Sequence, residues 1–155
     1  MLQRIQSIYL FLAGLVIFAL FLFPLAHNVY VDNMPLSITV TGTYVDAGGQ
    51  QALKDHFVGL TAATAIIGIL PIIIIFFYKN RKQQITLCYS TILVIIGYSF
   101  WMAQAAKQVV GGITLQPANF GIGLFLCPLA IVLVIFAVKA IQRDEKLIKS
   151  ADRLR

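Results

Sequence analysis

Apolar residues gather into four uninterrupted stretches along this chain, 5–26, 57–78, 85–106 and 119–138, and none of them contains Asp, Glu, Lys, Arg or His. Each is close to the length of about 20 residues that a helix needs to cross a bilayer. The stretches are apolar all round instead of on one stripe, the pattern of a lipid-embedded helix and not of a helix on a soluble globule. Four membrane helices are therefore expected. Pro71 falls inside the second and Pro128 inside the fourth, so both should bend. Gly121 and Gly123 add to the expected bend in the outer half of the fourth, and two bent helices would enclose a cavity. Small residues at Gly59, Ala63 and Gly68 offer the second helix a close approach to a neighbour.

The period changes between the first and second stretches. Leu36, Ile38, Val40 and Tyr44 alternate with Ser37, Thr39, Thr41 and Thr43, and Gly42 takes the fourth apolar slot. That period of two, rich in β-branched residues, predicts a strand. Val29-Tyr30-Val31 predicts a preceding strand, with a turn at Asn33-Met34-Pro35, and Asp46-Ala47-Gly48-Gly49 should end the second strand. Ile113-Thr114-Leu115, between the third and fourth stretches, could add a third. After the fourth stretch the pattern changes again. Ala140, Leu147 and Ala151 fall on one helical face with Leu154, and Gln142, Lys146, Lys149 and Arg153 fall opposite, which predicts a basic amphipathic helix. Asp144 lies within its apolar face and calls for a partner. Arg4 is the expected one.

The predicted fold class is an all-α membrane protein. It is a four-transmembrane-helix bundle with both termini cytoplasmic, a small β-hairpin cap on the first outer loop, and a C-terminal amphipathic helix. One membrane domain covers 1–155, with outer loops 27–56 and 107–118 and a cytoplasmic tail 139–155.

Composition agrees. The chain has 155 residues, 59% hydrophobic and only 12% charged, about half the charged share of a soluble domain. The net charge of +6 raises the question of nucleic acid, but its distribution answers it. Of twelve basic residues, only Lys54 and Lys107 fall in the outer loops; Arg4, Lys79, Arg81, Lys82 and the six in the tail fall on the other side. By the positive-inside rule that side is the cytoplasm. The basicity is a topology signal, with anionic headgroups as a secondary target, and no nucleic-acid partner is expected. Arg4 and the stretch after it resemble the start of a signal peptide. The stretch is long for that, however, and Pro24-Leu25-Ala26-His27 is a poor cleavage site, so a retained helix is expected.

Catalytic chemistry finds no foothold. No nucleophile and base occur at a usable spacing, and no carboxylates pair within a membrane stretch. Cys88 and Cys127 sit at depths that should differ by more than about 10 Å, beyond disulfide reach. His27 and His56 fall at similar depth near the outer ends of the first two helices, but neither has a ligand set around it. No catalytic residue, cofactor or metal site is expected.

The opening Met1-Leu2-Gln3-Arg4-Ile5-Gln6-Ser7-Ile8-Tyr9-Leu10 and the closing Asp144-Glu145-Lys146-Leu147-Ile148-Lys149-Ser150-Ala151-Asp152-Arg153-Leu154-Arg155 resemble a small tetraspan family of Bacteroidota inner membranes, domain of unknown function 4293. The resemblance covers the whole chain. It implies a location, the inner membrane, and no activity. Both end motifs fall on the cytoplasmic side, which makes Arg4, Gln6, Asp144, Lys149, Asp152, Arg153 and Arg155 the candidate partner-binding residues. The layout also resembles that of claudin-like tetraspans, but their loop tryptophan and paired loop cysteines are missing. The expected function is that of a non-enzymatic accessory or assembly subunit of a larger inner-membrane complex. The expected partners are the lipid bilayer and another membrane protein. The alternative is a binder or carrier of an apolar molecule, a lipid or quinone, in a cavity beside Pro71 and Pro128.

Overall fold

The computed structural model describes the backbone of residues 3–31, 34–47, 50–78, 80–111 and 119–152, and the side chains of 5–30, 35–45, 52–78, 80–111 and 119–148. Four helices form, α1 (Gln3–Phe18), α2 (Val58–Ile75), α3 (Arg81–Val110) and α4 (Gly123–Asp152). Four strands lie between α1 and α2: β1 (Ala26–Val31), β2 (Met34–Ile38), β3 (Gly42–Ala47) and β4 (Gln50–His56). They make one antiparallel sheet in sequence order. The all-α expectation with a hairpin cap is therefore wrong. The protein is a helical bundle carrying a four-stranded sheet.

Two features enlarge the sheet. The alternating run is not one strand, because it folds back at Thr39–Thr41. There the Thr39 amide donates to the Gly42 carbonyl at 2.9 Å, and the Thr39 hydroxyl donates to the same carbonyl at 3.0 Å. The Thr39 hydroxyl oxygen also lies 3.3 Å from the amides of Thr41 and Gly42. Threonine hydroxyls here supply bonds that a neighbouring strand would otherwise supply, so residues that favour strands close a turn instead. The other addition is β4, which pairs with β3 from Gly42↔His56 to Ala47↔Gln50. The predicted strand at Ile113-Thr114-Leu115 lies outside the described residues, as do Gly48 and Gly49 of the predicted strand end.

The inner face of the sheet buries Val29, Leu36 and Ile38 against the helices, with Val40 buried in the adjoining turn, while Tyr30 and Leu53 are exposed. Each helix packs on its two neighbours, α1 on α2, α2 on α3, α3 on α4 and α4 on α1, closing a ring. Two buried clusters fill it. One joins the sheet to the adjoining half of the bundle, around Leu20, Ile38, Ile95 and Met102. The other fills the opposite half, around Leu10, Cys88, Val134 and Ile141. The two cysteines belong to different clusters.

Three helices, α2, α3 and α4, are long and apolar enough to cross a membrane. α1 is shorter than expected. Its α-helical part ends at Phe18, a 3-10 turn runs over Ala19–Phe21, and by Ala26 the chain is already a strand. Large apolar side chains face outward on every helix, including Phe11, Ile66, Leu93, Phe100 and Phe125. Such a continuous apolar exterior calls for lipid.

Gly121 and Gly123 do not bend a helix. They sit before α4 and at its first residue, zipped to the segment that leaves α1. The Gly121 amide donates to Leu25 O at 2.8 Å and the Gly123 amide to Pro24 O at 3.0 Å. A methyl at Gly121 would lie 2.1 Å from the Pro24 carbonyl oxygen, so no side chain fits there. Beside this contact β1 bulges between Ala26 and Val29, with Asn28 at φ 52°. Asn119 closes the bulge by donating to Asn28 O at 2.6 Å and His27 O at 3.3 Å.

Candidate functional site

The two ends of the described chain meet. Gln6, in the second turn of α1, donates its side-chain amide to the Asp144 carboxylate of α4 and lies 3.4 Å from Ala140 O. Both side chains are buried, Gln6 at 6% and Asp144 at 6% exposure. Among the described residues, the partner of Asp144 is therefore Gln6 of α1. The second carboxylate oxygen of Asp144 is buried and has no hydrogen bond among the described residues. The side chains of Arg4, Lys149, Asp152, Arg153 and Arg155 lie outside the described residues, and so does the Arg4 end of the expected Arg4–Asp144 pair.

α4 runs without interruption from the apolar stretch into the basic tail. The face it buries at this end is not the one read from the sequence. Ala137, Ile141 and Asp144 are buried, whereas Leu147 and Ile148 are about half exposed. The apolar residues of the tail do not set its position; the a/d-like spacing of Ala137, Ile141 and Asp144 against α1 does.

Beside this contact runs an open groove of about 360 Å³ between α1 and α4, lined by Ile5, Tyr9, Phe136, Lys139, Ala140 and Arg143. The rings of Tyr9 and Phe136 meet across it with centroids 5.9 Å apart. At the same end of the bundle Gln84, buried at the start of α3, donates to Ile74 O near the end of α2 at 3.3 Å. These contacts put the start of α1, the end of α2, the start of α3 and the end of α4 together.

A second cavity, about 220 Å³, lies at the sheet end. Leu25 and Ile38 form its sheet-side wall, Met102, Ala106 and Val110 its α3 wall, and Lys107 is its one charged lining residue. Neither Pro71 nor Pro128 lines it. This is not the cavity expected beside Pro71 and Pro128; the sequence signal for it is the small residues Ala103 and Ala106 on the α3 side.

Hydroxyl and amide groups along the helices are turned to structural use. Thr64 donates to Leu60 O at 2.7 Å, which spends its only proton, so Tyr98 donates to Thr64 across α2 and α3 at 2.5 Å. Thr91, Ser90 and Ser99 donate to carbonyls of their own helix. The Thr61 hydroxyl shares its proton between Phe57 O at 2.9 Å and Val40 O at 3.1 Å, the second linking α2 to the turn between β2 and β3. His27 and His56 belong to β1 and β4, the two opposite edges of the sheet. Three strand spacings separate them, about 14 Å, which no single metal ion spans. Among the described residues no three His, Cys, Asp or Glu side chains group as metal ligands.

The family model of the domain of unknown function DUF4293 matches residues 2–154. The chain belongs to this family. The match takes in both end motifs and all four helices, so the contact between Gln6 and Asp144 is internal to the family domain. No curated protein matches the chain.

Proposed function

We propose that this DUF4293 protein is a non-enzymatic, four-crossing protein of the bacterial inner membrane that acts as an accessory or assembly subunit of a larger complex, docking a partner at its cytoplasmic end. The observation that carries the reading is the union of the two terminal segments by Gln6 and Asp144. It makes one end of the bundle a composite surface, built from the start of α1 and the tail of α4. Ten of the twelve basic residues fall at or beyond that end, which supports a cytoplasmic location for it.

The fourth crossing rests on α1 and its 3-10 turn together. Sixteen residues at about 1.5 Å and three at about 2 Å give roughly 30 Å, the thickness of a hydrocarbon core. The candidate partner contacts are Gln6 and Asp144 together with Arg4, Lys149, Asp152, Arg153 and Arg155, which the sequence nominates. A photo-crosslinking residue in place of Lys149 tests this in cells. A single adduct of defined mass is expected there and none from Phe100, which faces outward in mid-helix. Adducts with lipid alone at both positions would refute the docking end.

A second reading, a binder or carrier of a lipid or quinone, is favoured by the cavity under the sheet. Its 220 Å³ falls short of the roughly 300–1,000 Å³ of most ligand sites, which places this reading second.

A further inference from the structure

We propose that the groove between α1 and α4 is a binding site for one anionic phospholipid. The proposal rests on the membrane reading above and holds whether or not a partner protein docks nearby.

Lys139 and Arg143 share one wall of the groove. They are four residues apart on α4, so they stack about 6 Å apart along one face. Lys139 is the first charge after the apolar stretch of α4 and marks the level where hydrocarbon ends. Both side chains are exposed, and neither makes an ion pair with another described residue. The adjacent carboxylate does not pair with them, because Asp144, one turn beyond Ala140 and beside the groove, is buried and bonded to Gln6.

The rest of the groove is built for something other than a free anion. Ile5 and Tyr9 stand one turn apart on α1 and face Phe136 on α4. This leaves an apolar, aromatic trough on the bilayer side of two converging cations. A phosphodiester suits the cations, and a glycerol backbone with its first acyl carbons suits the trough. Basic pockets between membrane helices are a known form of headgroup site. Solitary interfacial lysines also occur as simple snorkelling anchors. Here two cations and an aromatic pair converge on one volume of about 360 Å³, which isolated anchors do not do.

The test is native mass spectrometry of the full chain from micelles containing equal phosphatidylglycerol and phosphatidylethanolamine. One phosphatidylglycerol per chain is expected, preferred by roughly thirtyfold, about fivefold for each cation. The double variant Lys139→Gln, Arg143→Gln should lose the preference, Lys139→Arg should keep it, and Lys82→Gln, a cation outside the groove, should leave it unchanged. Inorganic phosphate should not displace the lipid. Equal retention of both lipids by the native chain would overturn the proposal. So would an unaltered preference in the double variant, or displacement by inorganic phosphate, which would mean that the cations hold a free anion. Far-UV circular dichroism of each variant separates loss of the site from loss of the fold. A chain that stays in solution without detergent would instead refute the membrane reading.

Discussion

Gly121 shows how a single missing side chain fixes a junction. The Pro24 carbonyl occupies the space a Cβ would take, at 2.1 Å, so the segment leaving α1 can lie flat on the segment entering α4. Gly121→Ala must push two backbones apart and should cost about 3 kcal/mol, the upper end for overpacking. Gly97 is the control. A methyl there meets nothing within 4 Å, and Gly97→Ala should be neutral or stabilise by up to about 1 kcal/mol through helix propensity. Equilibrium unfolding in mixed micelles measures both, and equal effects at the two positions would remove the steric explanation. None of this could be read from the sequence. Gly121 and Gly123 look like residues of a bending helix until the carbonyl they accommodate is known.

At the scale of elements, legibility followed burial. The four helices were visible because lipid-facing and core-facing positions are both apolar, and the same fact hid where α1 ends. Leu20, Leu25 and Ala26 are buried in turn, strand and helix surroundings alike, so hydrophobicity runs past the helix terminus unchanged. In the sheet, Leu36 and Ile38 are buried on one face and announce β2 by their period. The described side chains of β4, 52–56, are exposed on both faces, so no period marks it. The α1–α4 contact was half legible. Asp144 stood out as a carboxylate on an apolar face, but nothing in the sequence chose Gln6 over Arg4 as its described partner. Gln6→Leu alone removes the described donor to the buried Asp144 carboxylate and should cost about 2–3 kcal/mol. Adding Asp144→Leu should recover most of that loss, since replacing both members of a buried polar pair is close to neutral. A double-mutant cycle by equilibrium unfolding checks the pair, and simple additivity of the two losses would show that they do not interact.

For the whole molecule, the arrangement divides the chain into two ends with different characters. The sheet end is closed by backbone pairing, with β1 bridged to Phe120 on one edge and Lys54 and Asp55 guarding β4 on the other. The terminal end carries the described basic residues Arg81, Lys82, Lys139, Arg143 and Lys146, the Gln6–Asp144 contact and the groove of Lys139 and Arg143. The described hydroxyls of Thr64, Ser90, Thr91, Tyr98 and Ser99 between the two ends are spent within the bundle, on helix carbonyls or, for Tyr98, on Thr64. Such a molecule has its distinctive chemistry at its surfaces, which is where an accessory subunit would use it. The measurement that bears most directly on this is the composition of the assembly taken from native membranes in mild detergent through a tag on this chain, read by mass spectrometry. A different membrane protein in fixed stoichiometry is expected, lost when Lys149, Arg153 and Arg155 are changed to Glu while the bundle stays folded. A chain recovered alone or only with copies of itself, from membranes where it is fully folded, would contradict it.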